Sequence, residues 1–151
     1  MNHEATAVLA ALALFAASTA LAAPAPTARE VVAAVLVAEA GGEPNPRQSM
    51  RAVWEVVRNR QVESHGRLTA VEIVLQREQF SCLNGTTPAK LVAAARRHAR
   101  WAMALRIVDR MPRTNLARGA NHYCTVECRP DWVTVGVVPV TRVGNHLFYK
   151  L

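Results

Sequence analysis

Before Pro112 the apolar positions recur at helical spacing, and after Gly119 they collect in short runs of β-branched and aromatic residues. Thr27-Ala28-Arg29-Glu30 is a capping box, in which the Thr hydroxyl and the Glu carboxylate satisfy orphan amides of a first turn. The helix it opens runs through Val31-Val32-Ala33-Ala34-Val35-Leu36-Val37-Ala38 and stops at Gly41-Gly42. It is apolar on every side, which predicts a buried central helix. Asn45-Pro46 caps a second helix, with Met50, Val53, Trp54, Val57 and Gln61 at helical spacing and an end near Gly66. Thr69 and Glu72 form a second capping box, opening a short helix with Val71, Val74 and Leu75 inward. Residues 76–85 read as an irregular loop. Thr87-Pro88 begins the longest predicted helix, whose inward stripe is Leu91, Ala94, Ala95, His98, Trp101, Ala102, Leu105 and Val108. On this reading His98 is a core histidine and Pro112 ends the helix.

Beyond Gly119 the strand-like runs are His122-Tyr123, residues 132–138 and residues 145–149, punctuated by Pro139 and Gly144. Two or three antiparallel strands beside the helices make the class α+β, mainly helical, with a small C-terminal sheet. No internal repeat, coiled-coil register or low-complexity segment is visible.

The N-terminus changes the picture. Residues 7–17 are an apolar run, and Ala20-Leu21-Ala22 fits a small-x-small cleavage site before Pro24-Ala25-Pro26. Residues 1–22 are therefore expected to be an export signal, leaving residues 23–151 as one domain. Met1-Asn2-His3-Glu4 lacks the usual basic start, so an uncleaved anchor is the competing reading. No later stretch approaches the ~18 uninterrupted apolar residues of a membrane span, so the mature form is expected to carry none.

The net charge is +7, and losing the segment raises it by one, because Glu4 is its only charged side chain. So basic a chain suits a polyanion. Nucleic acid is disfavoured by export and by the lack of a recognisable binding motif. The cell wall, with its peptide carboxylates, is an anionic polymer in the matching compartment. Cys82, Cys124 and Cys128 allow at most one intrachain disulfide, and spacing does not say which.

Glu39 ends the first apolar helix, on the face of Val31 and Val35. Partial desolvation there would disfavour the charged form, as a proton donor to a glycosidic oxygen requires. The competing reading is a solvated glutamate at a frayed helix end, paired with Arg47 or Arg51. Glu43 lies four residues on, across the helix end, and is either half of an acid/base pair or a loop carboxylate. Tyr123, Trp132 and Tyr149 offer flat faces with polar tips that suit pyranose rings, or else ordinary packing. His122, Cys124, Cys128 and His146 match no common zinc spacing, so neither metal nor cofactor is expected. Cys82 has no feature that would activate it as a nucleophile.

Five segments in order resemble the cell wall hydrolase family typified by the spore cortex-lytic enzyme SleB. They are Ala38-Glu39-Ala40-Gly41-Gly42-Glu43, Val56-Val57-Arg58-Asn59-Arg60, Gln79-Phe80-Ser81-Cys82, and Gly119-Ala120-Asn121-His122-Tyr123 with Pro130 and Trp132 following. The fifth is Val143-Gly144-Asn145-His146-Leu147-Phe148-Tyr149. The chain departs from the pattern at Cys124, where many relatives have histidine, at Asn121, where threonine is common, and at Cys128, an added thiol.

The resemblance implies a lysozyme-like domain acting as a lytic transglycosylase on peptidoglycan glycan strands, with Glu39 catalytic. Glu43, Gln79, Phe80, His122, Tyr123, Trp132, His146 and Tyr149 are the substrate-contacting candidates. Two alternatives remain at this stage: a wall-binding module without activity, and a hydrolytic muramidase using Glu39 and Glu43.

Overall fold

Side-chain caps fix where the first four α-helices begin. The computed structural model describes residues 24–77 and 79–151; the expected export signal, residues 1–22, lies outside the described residues. Thr27 and Glu30 form the reciprocal capping box of α1, Ala28–Ala40. Asn45 caps α2, Pro46–Glu63, with Pro46 at the first helical position. Thr69 and Glu72 cap α3, Ala70–Leu75, and Thr87 caps α4, Pro88–Ala95. The last helix, α5, spans Trp101–Val108.

α1 is the axis of the fold and packs against all four other helices. Ala33, Ala34, Val35 and Leu36 are completely buried, as an all-round apolar helix requires. Truncating Leu36 to alanine would cost about 2–5 kcal/mol. α2 joins two cores: Met50, Val53 and Val57 pack on α1, whereas Ala52 and Val56 lie against Val143 and Phe148 of the sheet.

The sheet has the order β1-β3-β2, with β1 His122–Thr125, β2 Thr141–Val143 and β3 His146–Tyr149, all antiparallel. The class is α+β and mainly helical, as read from the sequence.

Four expectations are corrected. The long helix after Thr87 is two helices, broken over residues 96–100. Its inward residues are Val92, Ala95, Ala104 and Ile107, which would spread over about half the circumference of one continuous helix. The break lets both pieces reach α1. His98 is exposed in this turn, not in the core, and its ring Nδ1 accepts the Arg100 amide at 3.1 Å, a side-chain bond that competes with helix continuation. In α3, Ile73 and Val74 are buried while Leu75 is 45% exposed.

Residues 132–138 are not a strand. Turns closed by Val133 N–H to Pro130 O and Val137 N–H to Thr134 O occupy the run, and Val135 and Val138 face solvent. β-branched composition there had no sheet neighbour to pair with; Thr141–Val143 supplies the third strand instead.

Candidate active site

Glu39 stands on the last turn of α1, half-buried. Its Oε2 accepts the Tyr123 hydroxyl at 3.0 Å. Its Oε1 accepts the Cys82 amide at 3.3 Å and lies 3.5 Å from the Ser81 hydroxyl. The carboxylate is therefore oriented by donors from two separate elements rather than paired with Arg47 or Arg51, which line a different cavity.

Those donors are themselves anchored. Phe80 is 2% exposed and roots the single 3-10 turn Ser81–Leu83, which presents the Cys82 amide to Glu39. Tyr123 faces Phe148 across the β1–β3 ladder, with the rings stacked at 5.6 Å and 29°. Phe80 meets the same tyrosine ring at 6.2 Å. Burial first, then the charge of Glu39, raises the Tyr123 hydroxyl well above its ordinary range, so it remains a donor. The Cys82 thiol is raised by the same two causes in the same order.

Glu43 is held by the loop between β2 and β3. Its Oε2 accepts the Asn145 amide at 3.0 Å. Gly144 makes this approach possible: its φ is +58°, and a Cβ there would stand 2.5 Å from Glu43 Oε2 and 2.8 Å from the Ser49 hydroxyl oxygen. His146 Nδ1 lies 3.4 Å from Glu43 Oε1 but makes no hydrogen bond. Burial lowers the His146 pKa against the opposing pull of Glu43 and Glu39, so at neutral pH the ring is neutral. The His146 ring meets Tyr123 edge-on at 5.2 Å.

Strand alternation divides the remaining candidates. Tyr123, Phe148 and His146 share the face toward Glu39, whereas His122 and Tyr149, opposite each other in the ladder, point to the other face. There Trp132 is flanked by the His122 ring and the Tyr149 ring, each at 5.2 Å. Burial, then Arg60, lowers the His122 pKa. The same alternation sets His146 on the opposite face from His122 and Cys124, so these groups do not converge on one point. All three cysteines are free thiols. Gln79 accepts Arg60 Nη1 at 2.5 Å, and Phe80 is packing beneath Tyr123.

Sequence reading assigned no role to Asn59, Arg60 or Asn121, yet they couple α2 to β1. Asn59 donates to Ala120 O at 2.7 Å and Arg60 Nε to Asn121 O at 2.6 Å. Asn121, 5% exposed, donates to Glu63 at 2.9 Å and to Leu151 O at 2.8 Å, and accepts the Leu151 amide at 3.0 Å. The adjacent amide and guanidinium at a helix end were the available signal.

Glu39, Glu43 and His146 line a cleft of about 260 Å³ together with Thr125, Val126, Glu127 and Asn145. A larger cavity between α2 and α5 is lined by no carboxylate, and its one hydroxyl, that of Thr114, is donated to Glu55. A carboxylate oriented by a tyrosine on the wall of a cleft is an arrangement that general acid/base chemistry can use. Residues 44–149 match the family model described as Cell Wall Hydrolase. The chain belongs to this cell wall hydrolase family, whose members degrade peptidoglycan. The match begins after Glu43, so Glu39 stands on its geometry and on the order of the motifs. No curated protein and no solved structure matches the chain.

Proposed function

We propose that the protein is an exported lytic transglycosylase that cleaves the glycan bond between N-acetylmuramic acid and N-acetylglucosamine, with Glu39 as general acid and then general base. The observation that carries this reading is the tyrosine-oriented, half-exposed Glu39 carboxylate in the cleft. In its protonated form Glu39 donates to the glycosidic oxygen as the bond to the muramyl C1 breaks. The muramyl 6-hydroxyl then attacks C1 and returns its proton to Glu39, leaving a 1,6-anhydro ring and the free N-acetylglucosamine hydroxyl. One carboxylate suffices because the nucleophile is already part of the sugar. Tyr123 holds the carboxylate in line throughout.

Glu43 suits a positioning role, since its side chain is only 8% exposed, accepts the Asn145 amide and lies against the His146 ring. Its place on the wall of the same cleft favours one second reading, hydrolysis with Glu43 holding water. Action outside the cytoplasm, in the periplasm or wall, follows from the substrate and from the expected export signal.

Glu39→Gln is isosteric and should abolish clearing of a suspension of purified sacculi while keeping the wild-type melting temperature. Clearing at the wild-type rate would refute the assignment.

A further inference from the structure

The larger cavity, about 610 Å³, lies between α2 and α5 and shares no lining residue with the Glu39 cleft. Its size is that of a ligand site. Trp54, 5% exposed, and Ile107, 8% exposed, form an apolar floor, extended by Met103 and Met111.

Around this floor stand Arg47, Arg51, Arg106, Arg110 and Arg113, all exposed. Arg47 and Arg51 are one turn apart on α2, and Arg106 and Arg110 repeat that spacing along and just past α5. Like charges at this spacing destabilise a helix, and here two such pairs face one another. The acids nearby are taken. Asp109 binds Arg29 through two bonds of 2.5 and 2.6 Å. Glu55 has one oxygen on the Thr114 hydroxyl at 2.6 Å and the other on the Ala117 amide at 2.7 Å. Among the described residues, none of the five guanidiniums has an ion pair within 4 Å or a side-chain hydrogen bond, and only Arg110 is near enough to an acid, Asp109, to lower that acid's pKa.

We propose that this cavity is a second substrate site, which binds the carboxylate-bearing peptide stems of peptidoglycan while the glycan occupies the Glu39 cleft. Guanidinium forks suit carboxylates, and the apolar floor suits the methyl groups of the stem alanines. Phosphate has the same charge, but a compact phosphate would leave the floor uncovered. The proposal rests on peptidoglycan being the polymer bound, though not on Glu39 being its acid.

The test uses the mature protein and the double charge reversal Arg51→Glu/Arg106→Glu, with Arg51→Gln/Arg106→Gln as a milder second variant; all four changes lie on exposed helix positions. Binding is measured by calorimetry with a synthetic stem peptide, L-Ala-γ-D-Glu-diaminopimelate-D-Ala, in the Glu39→Gln background, where turnover cannot interfere. Wild-type arginines should bind the peptide, and the reversal should weaken binding by about tenfold or more. In proteins with Glu39 intact, the reversal should raise KM on peptide-bearing strands yet leave cleavage of amidase-stripped glycan unchanged. Peptide binding without any cleavage would retain this site while removing the proposed activity. Cleavage with no peptide binding would do the reverse. Equal loss on both substrates, or arginine-dependent binding to phosphatidylglycerol vesicles but not to the peptide, would overturn the proposal.

Discussion

The Tyr123 hydroxyl donates to Glu39 Oε2 at 3.0 Å, across 84 positions of sequence. Tyr123→Phe keeps the ring stack on Phe148 and removes only this donor. A hydrogen bond to a charged group contributes about 1.5–3 kcal/mol, so kcat should fall about 10- to 100-fold with little change in KM. Steady-state kinetics on soluble glycan strands would show it, and an unchanged kcat would remove Tyr123 from the mechanism.

Gly144 combines a left-handed backbone with a space already filled by Glu43 and Ser49. Gly144→Ala should therefore cost about 2 kcal/mol or more, read as a lower urea midpoint. Activity should fall as well, because the Asn145–Glu43 bond cannot form with the carboxylate displaced.

Acid should destabilise the fold in two stages. His122 and His146 both have lowered pKa values, chiefly from burial. The unfolded chain takes up these protons near the ordinary pKa of 6.5, before the folded protein does. Their contribution is thus full above that pH and is lost as pH falls toward the depressed folded values. Glu30 is held at about 2, first by the Thr27 amide and then by Arg96. Its stabilisation is present above the ordinary 4.5 and is lost as pH falls toward 2. Melting temperature should decline from pH 7 to 5 in the wild type and less steeply in His146→Gln. A rise over that interval would contradict the burial argument.

Thiol reactivity should follow burial and neighbouring charge. Cys128 is exposed, while burial and Glu39 hold the Cys82 thiol far from ionising. Iodoacetamide should label Cys128 first and Cys82 slowly, as peptide mapping would report. Glu39→Gln should speed labelling at Cys82 by removing the adjacent charge.

Local chemistry made most of the helical framework legible. Thr27, Asn45, Thr69 and Thr87 each announce a helix start through a side chain that bonds within its own turn. What failed depended on distant partners. The break at residues 96–100 serves the packing of two helices on α1, and the residues 132–138 run lacks a strand to pair with. In the site, Glu39 was singled out by its place after an apolar run together with the acidic motif, and Tyr123 by its motif. That the Cys82 amide would meet Glu39 was not, because the contact spans a loop whose path is set by burial of Phe80. Likewise, the division of His122 and Tyr149 from His146 became visible only with the register of β1 on β3.

The central claim, that Glu39 drives intramolecular cleavage, is tested most directly by mass spectrometry of soluble products from purified peptidoglycan digested in water enriched in oxygen-18. The wild-type protein should release 1,6-anhydro-muropeptides, lighter by one water than hydrolysis products and free of the label, and Glu39→Gln should release none. Labelled reducing ends would contradict the transglycosylase account and bring Glu43 forward as the residue that holds water.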